Sequence, residues 1–355
     1  MTKTVKRLTA LILSLLMLLS LAACDKTPAA SDAGSADNPA SADPSSDFWD
    51  DPSSSDPVTD DSSAEDPAQS GGSITAPASS GSQTTKKPSD NSGSVSQVVV
   101  EKFTWPKIKA TGKTVKGLAL EAAGLPDDTD LSVFRAVAVP ITSGMGIISG
   151  FSASVDAIVR RLGMQCHVTD GTDVQGFSEG IDEGCDIIMM ADDRKFVAYN
   201  THERKYTDNS WGTAKGYSVA LKNAAGGLEG KDVLVIGAGY VGSWAVRFLQ
   251  EMGANVSVTD IIREKAQRLS SVGATPLEDI AKAISSHTLV LNAAPFIIPG
   301  ELIAEGSIIS SPGVPHYYDQ LGRSRAKAII HDPLEIGAAV MAVNSAGYTL
   351  KARKE

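Results

Sequence analysis

The segment Gly237-Ala238-Gly239-Tyr240-Val241-Gly242 constrains the fold of this chain more than any other feature. It directly follows the apolar run 232–236 and opens a helical stretch over 241–252. A second strand, 255–259, comes next and ends in Asp260. Strand, glycine-rich turn, helix and acid-tipped strand together make a dinucleotide-binding unit of the Rossmann type. Gly237 makes the tight turn, Gly239 lets the backbone approach a pyrophosphate, and Gly242 lets the helix lie close to the strand. The helix start, with Tyr240 and Val241 in its first turn, offers N–H groups and a positive dipole end to the phosphates. Asp260 would accept hydrogen bonds from the ribose hydroxyls and repel a 2′-phosphate, which favours NAD over NADP. The alternatives are a glycine-rich turn without a ligand and a flavin in place of NAD.

Strand-like runs continue at 288–292, 307–310 and 327–330, which predicts a doubly wound parallel sheet. Two of them lead into Asn292-Ala293-Ala294-Pro295 and Ser311-Pro312-Gly313-Val314-Pro315. Ligands of such sheets sit beyond the carboxyl ends of the strands, so Pro312 and Gly313 are expected to face the nicotinamide half of the cofactor. The alternative is that Pro and Gly only end the strands. Upstream, strand-like runs at 135–141, 165–169 and 185–190 alternate with helical runs at 152–162 and 174–182. That alternation predicts another parallel sheet covered on both faces. A helical stretch at 210–225 reaches Gly226-Gly227, a stop and hinge. The expected organisation is α/β with two domains. A smaller N-terminal α/β substrate domain covers 98–226, and a C-terminal Rossmann domain covers 227–333. A helix at 334–343, within a terminal segment 334–355, is expected to pack back across the first domain.

The first 97 residues read differently. Lys3, Lys6 and Arg7 precede a short apolar run that ends in Leu21-Ala22-Ala23-Cys24. Residues 1–24 therefore read as a signal peptide with a lipoprotein cleavage site, Cys24 being the lipidated residue. Its alternative is an ordinary apolar helix. Residues 25–97 are rich in Ser, Asp, Ala, Pro and Gly and cannot bury enough apolar surface to order themselves. As a flexible coil they would reach on the order of 50 Å. The 13 acidic and 3 basic residues between Asp25 and Val100 carry a charge equal to the whole formal charge of −10, so the acidity says nothing about a substrate. No basic run interleaved with aromatics points to nucleic acid. Cys166 and Cys185 stand alone in apolar runs and read as buried thiols, neither a disulfide framework nor a metal site.

On the substrate side, Thr142-Ser143-Gly144-Met145-Gly146 follows a strand and precedes a helix, a setting that suits an anion. Met190-Ala191-Asp192-Asp193 puts two carboxylates at the end of an apolar strand, where burial and mutual repulsion would raise the pKa of one. Asn200 follows the next short strand. Either aspartate could instead cap a turn, and Asn200 could be an ordinary turn residue.

These segments resemble the PylD family of pyrrolysine biosynthesis proteins. The resemblance rests on SGxGII at 143–148, FSxS at 151–154, Thr169-Asp170, and MADDxxFxAxN at 190–200. It continues through VxVIGxGxVG at 233–242, Asp260, SxPGxP at 310–315 and PLxIGxA at 333–339. It implies an NAD-dependent dehydrogenase that oxidises the terminal amine of 3-methyl-D-ornithyl-N6-L-lysine. The imine hydrolyses to an aldehyde with loss of ammonia, and the aldehyde closes on the ornithyl α-amine. The resemblance implies Ser143, Gly144, Asp192, Asp193 and Asn200 on the substrate side, with Asp192 as the catalytic carboxylate. On the cofactor side it implies Gly237, Gly239, Gly242, Asp260, Pro312 and Gly313. Three departures stand out. Met145 replaces an Asn, Asp332 replaces a Glu on the substrate side, and no counterpart of the family's N-terminal helix precedes Thr111.

The implied partner is a small, amino-acid-derived substrate. The only membrane contact expected is a lipid at Cys24, and a homodimer is compatible with the pattern. One alternative is another amine dehydrogenase acting on ornithine- or lysine-like compounds. Another is a surface-tethered binding lipoprotein without catalysis. If residues 1–96 are a fused or mis-started extension, the enzyme is cytoplasmic.

Overall fold

The computed structural model describes residues 108–144, 146, 150–313 and 317–353. Cys24, the linker, Met145 and Val314-Pro315 lie outside them. The first elements are α1 (Val115–Ala122), β1 (Arg135–Val139), α2 (Phe151–Leu162), β2 (Gln165–Val168) and α3 (Asp173–Asp182). Next come β3 (Ile187–Ala191), β4 (Phe196–Asn200), β5 (Lys205–Asp208) and α4 (Asn209–Ala224). The second half holds β6 (Asp232–Ile236), α5 (Tyr240–Glu251), β7 (Asn255–Thr259), α6 (Arg263–Arg268), β8 (Thr275–Pro276) and α7 (Ile280–Ser286). It ends with β9 (Leu289–Asn292), β10 (Ile308–Ser310), α8 (Gln320–Arg325), β11 (Ala328–Ile330) and α9 (Glu335–Ala352).

The second sheet has the order β11-β10-β9-β6-β7-β8, and every pairing in it is parallel. β6 lies at its centre, and Val233 to Ile236 are buried, as expected of a strand covered on both faces. Chain order reverses direction between β6 and β9, the point where doubly wound sheets bind ligands. The first sheet has the order β2-β1-β3-β4-β5. β1 runs parallel to β2 and β3, but β4 is antiparallel to β3 and β5 antiparallel to β4. The expected all-parallel sheet is therefore corrected to a mixed one. Only residues 192–195 separate β3 from β4, far too few for a crossover helix, so the chain turns back as a hairpin.

Both sheets belong to one unit of the chain. α4 packs on β5 of the first sheet and on β9, β10 and β11 of the second, while α9 packs on α4 and on β3, β4 and β5. α9 thus returns to the first sheet as expected, but it is longer than the apolar run 334–343. The polar residues that break that run are buried and paired. Ser345 Oγ donates to the Ala198 carbonyl at 2.7 Å, and Asn344 Nδ2 donates to Thr207 Oγ1 at 2.9 Å. Cys166 and Cys185 are free, buried thiols, and burial pushes both pKa values up.

Candidate active site

The glycine loop after β6 is shaped by what a side chain would strike. Gly237 has φ 93°, and a Cβ there would lie 3.0 Å from the Ala294 nitrogen. A Cβ on Gly242 would sit 1.8 Å from the Gly237 carbonyl oxygen, so α5 can start this close to β6 only with glycine at that position. Around Gly239 nothing lies within 4 Å, which leaves the approach that a pyrophosphate needs. Gly239 caps α5 without a side-chain hydrogen bond, so no cap side chain competes for the first-turn N–H groups. Tyr240 is exposed beside them. At the tip of β7, Asp260 accepts from Ala238 N at 2.6 Å through Oδ2 and from Ile262 N at 2.8 Å through Oδ1. Each oxygen keeps a lone pair for a ribose hydroxyl. The residues fit a nicotinamide dinucleotide.

A cavity of about 350 Å³ opens beside this loop. Val241, Ala293, Pro295, Pro312 and Gly313 line it from the second sheet, and Ser143, Phe151, Asp192 and Asp193 from the first. The loops after β9 and β10 interlock there, because a Cβ on Gly313 would meet the Ala294 carbonyl oxygen at 2.2 Å.

The two aspartates take different positions. Asp192 is exposed at the cavity wall, and its Oδ1 accepts from Arg194 N at 2.8 Å and Lys195 N at 2.7 Å. The turn-capping alternative thus describes one of its oxygens, and the expected burial does not hold, because the hairpin tip projects from the sheet. Asp193 lies against the Ser143-Gly144 loop: a Cβ on Gly144, which has φ 68°, would fall 2.0 Å from Asp193 Oδ2. The helix expected over 152–162 runs from Phe151 to Leu162, with Phe151 and Ser152 on the cavity wall.

Asn200 is corrected as a substrate contact. It is the last residue of β4, fully buried, paired in register with Ile187. Its Nδ2 donates to the Ser345 carbonyl at 2.7 Å and to Thr349 Oγ1 at 2.9 Å, and its Oδ1 accepts from Glu203 N at 2.7 Å. Those bonds tie α9 to the sheet. Asp332 lines the cavity, but its Oδ1 accepts from Leu334 N at 3.0 Å and from Glu335 N, which caps α9. Three further cavity residues carry no motif of their own. Asn209, Thr213 and Tyr217 lie four apart along one face of α4, a spacing visible in the sequence but hidden inside a stretch that reads as a connecting helix. The Tyr217 hydroxyl bonds both the backbone N–H and the carbonyl of Asp332. Burial, and then the Asp332 charge, push its pKa well above the usual tyrosine value, so it serves as a neutral strut.

Residues 97–207 match the family model for the N-terminal domain of pyrrolysine biosynthesis protein PylD. Residues 212–307 match the C-terminal domain of alanine dehydrogenase/PNT. The pyrrolysine synthase of Methanosarcina barkeri (strain Fusaro) is 32% identical over 237 residues, covering 66% of this chain and 88% of the relative. The chain belongs to the pyrrolysine synthase family. A second pyrrolysine synthase, from Methanosarcina acetivorans, is 31% identical over 237 residues, or 66% of this chain and 89% of the relative. Among solved structures, shikimate 5-dehydrogenase from Thermus thermophilus aligns with a TM-score of 0.42 at 15% identity. That alignment covers 62% of this chain and 98% of the other. As a member of the pyrrolysine synthase family with a dinucleotide fold, this chain is an oxidoreductase that uses a nicotinamide cofactor.

Proposed function

We propose that this chain oxidises the terminal primary amine of 3-methyl-D-ornithyl-N6-L-lysine, with NAD as cofactor, in the last step of pyrrolysine formation. The observation that carries this reading is one cavity lined both by loops of the glycine-loop sheet and by the Asp192–Asp193 hairpin of the other. Bound NAD supplies the hydride acceptor. Asp192 pairs with the substrate ammonium and takes its proton, leaving a neutral amine whose carbon can release hydride. Phe151 and Phe196 meet edge to face at 5.2 Å on the cavity wall and give the methylene chain an apolar surface. Ser152, in the first turn of α2, and Ser143 offer donors to a substrate carboxylate. Loss of hydride leaves an iminium. Water converts it to an aldehyde and ammonia, and the ornithyl α-amine condenses with the aldehyde, releasing water and closing the ring.

The test is NADH formation by the full chain supplied with that dipeptide-like amine or its ornithyl analogue. Wild type is expected to form NADH. Asp192→Asn should lose about 10²–10⁴-fold in turnover, the range for a positioned general base, with NAD affinity unchanged. No NAD reduction with either compound would overturn the reading. Wild-type turnover in Asp192→Asn would leave Asp192 a turn cap and move the base elsewhere.

We also infer that the mature chain is tethered to a membrane through a lipid on Cys24, on the strength of the basic start, the short apolar run and Leu21-Ala22-Ala23-Cys24. Cell fractionation decides it. The chain should sediment with membranes and Cys24→Ser should not, whereas a soluble wild type would mean that the signal is unused.

A further inference from the structure

We propose that Asp173 is a positioning residue for the substrate side of the cavity, fixing the 140–144 segment so that Ser143 stands on the cavity wall. This rests on the dehydrogenase reading above. Asp173 is one of two non-glycine residues with positive φ among those described, at 53°. Aspartate tolerates that left-handed conformation better than most residues, but it still costs energy, so something must hold it there. Its bonds identify the holder. Asp173 N donates to the Pro140 carbonyl at 2.9 Å, and its Oδ1 accepts from Thr142 N at 2.7 Å. Its Oδ2 accepts from Thr142 Oγ1 at 2.5 Å and from Thr172 Oγ1 at 3.0 Å.

The bland alternative is a helix cap, since Asp173 is the first residue of α3. A capping carboxylate accepts from N–H groups of its own helix, two or three residues on. Here the backbone donor is Thr142, 31 residues earlier in the chain and just past the end of β1. The cavity wall runs through Pro140, Ile141 and Ser143, while Thr142 between them is bound to Asp173. On the other side, Gly144 rests against Asp193. The loop is therefore held between two carboxylates, one on the wall and one behind it. The hydrogen bonds from Thr142 also hold the Asp173 carboxyl below the usual carboxylate range, so it remains an acceptor throughout the neutral range.

Two variants of the full chain separate positioning from folding. Asp173→Gly keeps the positive φ and removes the carboxylate. Asp173→Asn keeps both the conformation and an acceptor for Thr142 N, and its amide can donate to Thr142 Oγ1. In Asp173→Gly, KM for the amine substrate should rise about tenfold, the low end for a charge-assisted hydrogen bond at an exposed site. Turnover number, NAD affinity and melting temperature should stay near wild type, and Asp173→Asn should recover most of the KM. A wild-type KM in Asp173→Gly overturns the proposal. So does a raised KM accompanied by losses in both turnover and melting temperature, which marks a structural role. If the wild type oxidises no amine, the dehydrogenase reading fails, and amide exchange at Thr142 still tests the clamp. Faster exchange in Asp173→Gly supports it, and unchanged exchange overturns it.

Discussion

Two loops stand at or beside the cavity, and they are held in different ways. Each leaves the carboxyl end of an inner parallel strand: 237–239 joins β6 to α5, and 140–144 follows β1. The first is fixed chiefly by backbone packing, with the Asp260 carboxylate also holding Ala238 N. Gly242 fits against the Gly237 carbonyl with no room for a methyl group, and α5 begins at once. The second is fixed by side chains from distant segments, Asp173 behind it and Asp193 before it. A cofactor presents the same phosphates to every enzyme that uses it, so a local glycine spacing suffices. A substrate is particular to the enzyme, and a loop held by exchangeable side chains can be re-aimed without rebuilding the sheet.

The contrast breaks most sharply at Gly242. Gly242→Ala sets a methyl group against a backbone carbonyl that cannot step aside, and is expected to destabilise the chain by about 3 kcal/mol. NAD binding in calorimetric titration should weaken about a hundredfold or more, because the helix start is displaced from the phosphates. Near-normal titration and melting would mean that β6 and α5 can separate freely. Gly144→Ala meets the end of a carboxylate instead, and that group can move. A stability loss of about 1 kcal/mol from the left-handed backbone is expected, with a KM for the amine raised about tenfold and NAD affinity intact. Should NAD affinity fall as well, the two loops are not independent. The smallest effect is expected at Asp260. Its carboxylate also anchors Ala238 N, so alanine would disturb the glycine loop, whereas Asp260→Asn keeps an acceptor and removes the charge. Preference for NAD over NADP should drop about fivefold, the size of one unit charge acting on a phosphate through solvent. An unchanged ratio would take the 2′-position away from Asp260.

The contrast also explains what could be read from the residues alone. β6 and β7 fall where the apolar runs 232–236 and 255–259 place them, because local sterics and burial act within a few residues of chain. The hairpin of β3 and β4 is hidden because Ile187 to Ala191 and Phe196 to Asn200 both read as buried strands, and only the four residues between them set the direction. Asn200 looks like a site residue because it follows a short strand and ends the MADDxxFxAxN match, yet its partners lie 145 and 149 residues away on α9. The Asn209-Thr213-Tyr217 face cannot be recognised as cavity wall until α4 is known to lie between the sheets. Asp192 and Asp193 are adjacent and chemically identical, and only the turn geometry tells the cap from the loop support.

The covering of the first sheet by α9 has a consequence for synthesis. Asn200 leaves the ribosome 145 residues before Ser345, the residue whose carbonyl it binds. At common elongation rates that interval lasts on the order of ten seconds. For nearly all of it, β3, β4 and β5 are complete but lack the packing that α9 supplies. The first half of the chain therefore cannot finish folding when it emerges. Its packing waits for α9, and a chain cut short before that helix would leave the substrate-side sheet uncovered.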